Sequence, residues 1–266
     1  MSIPDLFYHL NKHLPNSSTN RKSLIQGINT NELSCLEIGP FDDPVLRGSQ
    51  VKYFDVLDQI GLKNRSLNCN RPHPLQNIPH IDYVDPNGNI TVIKERFDLI
   101  LSCHSIEHQT DFVQHLKDVS SLLKPNGCYI IILPDKRYCF DHFIRETTFA
   151  DILEHHKLKK KNHSLKSVIE HRALTCHNDC VRHWGGDHGY PKYMEDVNII
   201  NNAVDEYNKA TRNNEYIDVH SLQFTPKSFG HIIEILNKIG LINLKVNRMF
   251  PTNKNCGEFY VVLKST

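Results

Sequence analysis

Cys35-Leu36-Glu37-Ile38-Gly39-Pro40 is a short apolar run carrying one acid and closed by a glycine and a proline. Such a run reads as a buried parallel strand, and the carboxyl ends of parallel strands are where open α/β sheets bind nucleotides. Gly39 lets the backbone turn sharply and come close to a ligand, while Glu37 offers a carboxylate at the same edge. An E-x-G triplet says little by itself. The elements on either side of it decide the fold.

Downstream, Val51-Lys52-Tyr53-Phe54-Asp55-Val56 reads as a second strand whose acid, Asp55, comes 18 positions after Glu37. An acid about 20 residues past the glycine turn accepts hydrogen bonds from ribose hydroxyls in nucleotide-binding α/β folds. Ile81-Asp82-Tyr83-Val84-Asp85 reads as a third strand and residues 97–103 as a fourth, followed by His104-Ser105-Ile106-Glu107-His108. From about Asp111, the apolar residues Phe112, Val113, Leu116, Val119, Leu122 and Leu123 share a helical face. Lys124-Pro125-Asn126-Gly127 ends that helix, and residues 128–134 form a fully apolar fifth strand. Near the end, Thr225 is placed to cap a helix with Pro226 at its first position. Residues 241–246 and 259–263 then close the chain as an antiparallel pair joined through Thr252-Asn253-Lys254-Asn255. The order describes a doubly wound, mostly parallel α/β sheet.

Upstream, residues 1–33 read as a helical preamble in which Leu6, Phe7, Leu10 and Leu14 recur at helical spacing. Residues 34–134 form the α/β core, 135–220 a large insertion after strand five, and 221–266 the closing helix and strands. The insertion is rich in His, Lys and Asn, and its place predicts a lid and acceptor site over the carboxyl edge. The run Lys-Leu-Lys-Lys-Lys at 157–161 reads as a solvated helix face.

Composition narrows the function classes. A net charge of +1 argues against a nucleic-acid partner bound by overall charge, and no apolar run is long enough to span a membrane. Eight scattered cysteines and the absence of a signal-peptide pattern predict a reduced, cytoplasmic protein. Seven of the 17 histidines fall between His155 and His188.

Taken together, Leu36-Glu37-Ile38-Gly39-Pro40, the acid ending strand two, Phe97-Asp98-Leu99-Ile100 and the Leu123-Lys124-Pro125-Asn126-Gly127 turn resemble the signature series of class I S-adenosylmethionine-dependent methyltransferases. Ser105-Ile106-Glu107-His108 is similar to the segment after strand four in their type 11 branch. Pro40 and Phe41 after Gly39 depart from the commoner E-x-G-x-G turn. Residues 134–141, His177-Asn178-Asp179, Arg182-His183-Trp184, Gly186-Asp187-His188-Gly189 and residues 224–229 resemble bacterial methyltransferases found with surface-polysaccharide genes.

The resemblance implies a seven-stranded, Rossmann-like sheet and an enzyme that uses S-adenosylmethionine and releases S-adenosylhomocysteine. It implies O-methylation of a small-molecule acceptor, a nucleotide sugar or glycan of capsule or lipopolysaccharide biosynthesis. The cofactor set is then Glu37, Gly39 and Pro40 under the amino acid part, Asp55 on the ribose, Asp82 or Asp85 near the adenine, and Ser102 and Cys103 with His104 as the floor. A hydroxyl acceptor needs a base, for which His104, His108, His177, His183 and His188 are the candidates, His108 the least favoured. His108 reads as a packing residue at the start of the next helix. Trp184 and Asp187 would meet a sugar, and Lys136, Arg137 and Arg145 a phosphate or carboxylate on the acceptor. A rival within the class methylates that phosphate-like or carboxylate group. More distant rivals are a nicotinamide-dependent oxidoreductase, which the missing G-x-G-x-x-G disfavours, and a non-catalytic metal-binding protein. Cys176, Cys180, His183 and His188, with Asp179 or Asp187, could ligate a divalent ion. The spacing C-x3-C-x2-H-x4-H is no standard zinc pattern, so no metal ligand is assigned. The sequence leaves the oligomeric state open.

Overall fold

Residues 20–266 are described by the structure, a computed structural model. The apolar spacing at Leu6, Phe7, Leu10 and Leu14 lies outside the described residues. Seven strands make one sheet: β1 (Cys35–Ile38), β2 (Val51–Asp55), β3 (Tyr83–Val84), β4 (Phe97–Cys103), β5 (Leu123–Pro134), β6 (Leu244–Phe250) and β7 (Glu258–Ser265). Their order is β3-β2-β1-β4-β5-β7-β6, with β1 to β5 parallel and β7 antiparallel to both its neighbours. The chain winds outward from β1 to β3 and then restarts at β4 on the other side of β1. That reversal makes β1 and β4 the switch point of the sheet, at whose carboxyl ends open α/β sheets bind their ligands.

Two apolar layers hold the sheet. On one face, α3 (Phe112–Leu122) and α8 (Pro226–Lys238) press Leu116, Val119, Phe229 and Ile232 onto Leu36, Ile100 and Ile131. On the other, Leu24 of α1 (Arg21–Ile25) and Leu46 cover Leu99, Leu101, Ile130 and Val262. Fully burying one such side chain is worth roughly 1.5–3 kcal/mol. The helix α2 (Gln59–Asn68) connects β2 to the segment leading into β3.

Element ends differ from expectation for local reasons. β5 starts at Leu123, so Lys124-Pro125-Asn126-Gly127 is an irregularity inside the strand, where Asn126 turns through φ 66° and the β4 register shifts. A Cβ on Gly127 would lie 3.0 Å from the carbonyls of both Lys124 and Phe97, which is why the chain needs glycine there. β6 starts at Leu244, because the Leu241 N–H turns back to the Leu236 carbonyl and finishes α8. β3 is limited to two residues at the sheet's edge.

Between β5 and α8 the chain forms α4 (Phe149–Lys157), α5 (Leu165–Ala173), the short α6 (Cys180–Trp184) and α7 (Asn198–Asn213). α5 and α7 share a small core of Val168, Ala203 and Val219, and Arg172 meets Glu206 with two hydrogen bonds. The lysine run is a helix end rather than a helix face, since α4 stops at Lys157 and Lys159 takes φ 48°. Among the described residues no helix is long and apolar enough to cross a membrane.

Candidate active site

β1 ends in a turn that the glycine makes possible. Gly39 has φ 70° and donates its N–H to the Phe54 carbonyl, and a Cβ there would meet only Ser105 at 3.8 Å. Backbone conformation, not crowding, requires glycine at this point. Glu37 does not reach outward: its two carboxylate oxygens accept the N–H groups of Val45 at 2.9 Å and Leu46 at 2.7 Å. Complete burial pushes its pKa up to about 7. Its place is inside the loop after β1, which it shapes, with Pro40 buried in the same loop.

Asp55 ends β2 at the same edge and is 7% exposed. Its Oδ1 accepts from the N–H groups of Val56 and Leu57, and burial outweighs them to raise its pKa. Asp85 follows β3 beside it, its N–H on the Asp55 carbonyl and its Oδ1 accepting from Asn87 and Asn89. Asp82 sits toward the amino end, where its carboxylate takes the Tyr53 N–H. Ser102 is fully buried and shares a 2.6 Å hydrogen bond with Tyr129, while burial holds the Cys103 thiol well above its ordinary pKa.

Beyond β4 lies a chain of alternating charges. His104, at φ 49°, places Nε2 2.6 Å from Glu258 and Nδ1 3.4 Å from Glu107. Glu258 also receives Arg21, and His220 stands 3.9 Å from Glu107 with its other ring nitrogen 2.7 Å from Asp141. Neither Glu107 oxygen has a hydrogen bond within ideal geometry, so its buried charge is answered by the two rings. Burial works against the His104 proton, but Glu107 and Glu258 outweigh it and push the imidazole up to about 9. In return both carboxylates fall to about 2. An imidazolium between two carboxylates has no lone pair at neutral pH, so the geometry gives His104 a fixed charge rather than the expected base role. His108 packs edge-on against His220 and pairs with Asp218 at 2.9 Å.

The expected acceptor-side cations are all engaged within the chain. Arg137 forks onto Asp135, Arg145 onto Asp151, and Lys136 donates to the His142 carbonyl. Trp184 stacks on Tyr138 at 4.0 Å and donates its indole N–H to the Cys256 carbonyl, so one ring face is already covered. Asp187 accepts from Arg182 and from the Gly189 N–H. His177 has both ring nitrogens on backbone groups, the Asp179 N–H and the Asp187 carbonyl.

His183 and His188 do come together, with Nδ1 atoms 3.0 Å apart, and His142 stacks on His188 at 3.7 Å. Burial lowers the pKa of His142 and of His183. Sequence reading missed His142, Glu258 and His220. His142 lies one position beyond the segment 134–141 that follows the apolar fifth strand, and the density of histidines was its only signal.

Residues 59–131 match the model of a family described as a methyltransferase domain. No curated protein matches the chain. Among solved structures, an S-adenosylmethionine-dependent methyltransferase from Clostridium acetobutylicum ATCC 824 is 12% identical at a TM-score of 0.46, with 99% of each chain covered. One from Aquifex aeolicus is 10% identical at 0.44, with 100% of each covered. The mitomycin 7-O-methyltransferase MmcR is 11% identical at 0.42, over 90% of this chain, which spans 50% of MmcR's length.

Proposed function

We propose that this S-adenosylmethionine-dependent methyltransferase methylates a hydroxyl oxygen on a sugar or sugar-linked group, as in surface-glycan biosynthesis. The observation that carries the reading is the composition of the segment between β5 and α8. Imidazoles gather there at His142, His183 and His188, while Lys136, Arg137 and Arg145 are spoken for. An anionic acceptor would need free cations; a hydroxyl needs somewhere for its proton to go.

The donor edge fits the nucleoside. Asp55 is a buried acid whose raised pKa would be relieved by hydroxyl donors, beside the open left-handed turn at Gly39. Bound there, S-adenosylmethionine supplies an electrophilic methyl group on a sulfonium. Gly39 and Pro40 would line the amino acid part, Asp55 the ribose, and Asp85, at the carboxyl edge, the adenine side in preference to Asp82. Arg21, Glu258, His104 and Glu107 sum to zero charge at neutral pH, a floor that does not repel a cationic donor. The segment between β5 and α8 closes over the acceptor and excludes water, and holding the reactants aligned can be worth about 7–11 kcal/mol.

The test combines two measurements. Titration with S-adenosylhomocysteine should show binding that Asp55→Ala weakens roughly 10–100-fold, the loss of hydrogen bonds to a charged acceptor. Methyl-labelled donor with a panel of nucleotide sugars, sugar phosphates and carboxylates should label hydroxyl groups. Label found only as methyl phosphate or methyl ester would refute the hydroxyl reading.

A further inference from the structure

His142, His183 and His188 reach one point from two distant parts of the chain. His142 lies eight positions past the end of β5, His183 in α6, and His188 just beyond the double glycine that follows that helix. Gly186 at φ 87° folds the chain back so that His188 returns onto His183, and Gly189 at φ 62° turns the chain away again. A Cβ on Gly189 would lie 2.9 Å from the His177 ring, so the return is closely packed. Arg182 and Asp187 brace it at 2.8 Å.

His142 and His183 each have one ring nitrogen tied to a backbone carbonyl, so the other carries the lone pair. His142 donates Nδ1–H to the Arg137 carbonyl at 2.9 Å, which leaves Nε2 as a lone pair. His183 donates Nε2–H to the His177 carbonyl at 3.1 Å, which leaves Nδ1. Carbonyls in this position fix the tautomer and ring orientation of metal-binding histidines. The His183 Nδ1 lone pair accepts Nδ1–H from His188 at 3.0 Å, a proton that a metal ion would displace to the other nitrogen of the His188 ring, and ligand atoms of all three residues lie within 4.8 Å of one another. Two nitrogens on one tetrahedral zinc stand about 3.3 Å apart, given Zn–N bonds of about 2.0–2.1 Å.

We propose that His142, His183 and His188 hold one divalent transition-metal ion, zinc by preference, with its fourth position open. Three imidazole nitrogens and no thiolate suit zinc and, in its place, cobalt. The neighbouring cysteines stay out: the Cys180 thiol donates to the Asn255 carbonyl, and the Cys176 thiol is turned to Phe140 and His177 carbonyls. Asp179 caps α6 instead of reaching the cluster. His188 now lies nearly parallel to His142, at 11°, so binding tilts the half-buried His188 ring out of that stack. The site stands on this geometry alone. Its use rests on the acceptor reading above: a hydroxyl in the open position would give up its proton more readily.

The experiment takes the full chain, stripped with a chelator and dialysed, and titrates it with zinc by calorimetry and with cobalt by visible absorption. One equivalent should bind, with the intense bands of tetrahedral cobalt, and His142→Gln and His188→Gln should each weaken zinc by roughly 100-fold. His155→Gln, outside the cluster, should bind as wild type. Absence of binding, or binding indifferent to His142 and His188, overturns the site. S-adenosylhomocysteine titrated into the same samples reads folding and the donor edge separately. Zinc bound without hydroxyl methylation would remove the acceptor reading and keep the site.

Discussion

His104 occupies a backbone region that costs a non-glycine residue about 1–2 kcal/mol, and it is held there by partners on both ring nitrogens and by its N–H on the Ile132 carbonyl. The charge on the ring makes this arrangement depend on pH. The folded pKa of about 9 lies above the ordinary 6.5, so the contribution of the His104 proton is complete below about pH 6.5 and is lost as pH rises through 9. Glu107 and Glu258, depressed from 4.5 to about 2, make theirs above pH 4.5 and lose it as pH falls toward 2. The thermal midpoint should therefore decline between pH 6.5 and 9.5, and Glu258→Gln should flatten that decline. Parallel profiles for the two proteins would show that the clamp does not hold the proton. None of this was legible in the sequence, because His104 and Glu258 are 154 positions apart and nothing local to either marks the pair. The place of Asp55 at the carboxyl end of β2 was legible, since it follows from the strand pattern and spacing.

At the scale of elements, local chemistry set the ends of helices more faithfully than those of strands. Thr225 caps α8 as its position before Pro226 predicts, accepting the Ser228 N–H, and its hydroxyl also donates to Glu146 at 2.6 Å. Thr225→Ala should lower stability by about 1–2 kcal/mol, with a fall in midpoint of about 2–4 °C per kcal/mol. Thr225→Ser should restore most of it, and donor binding should be untouched in both. A calorimetric scan with no change for Thr225→Ala would mean that neighbouring groups take over the cap. Strand ends were harder to read because pairing decides them. Lys124-Pro125-Asn126-Gly127 carries every local sign of a turn, yet Leu123 pairs with Phe97 and draws the segment into β5. Leu241 and Ile242 look like strand, yet their N–H groups complete a helix end.

At the scale of the whole molecule, the doubly wound sheet was legible because its central strands β1, β4 and β5 are largely buried apolar runs. The segment between β5 and α8 was legible only as a composition. Its histidines, glycines and one tryptophan were visible, but their partners were set by a fold-back between β5 and α8 that has no periodicity to read. Trp184 is the chain's single tryptophan, and its two contacts, Tyr138 and the Cys256 carbonyl, lie outside α6. The single indole thus stands at the seam between the helical segment and the loop leading into β7. The core shared by α5 and α7 is small beside the two layers that sandwich the sheet, so this segment should open first. In rising urea, the emission of Trp184 should shift to the red before far-ultraviolet dichroism is lost; superimposed curves would mean that seam and sheet melt as one cooperative unit. The intrinsic light of the protein is in effect a gauge of how tightly the helical segment is seated on the loop before β7.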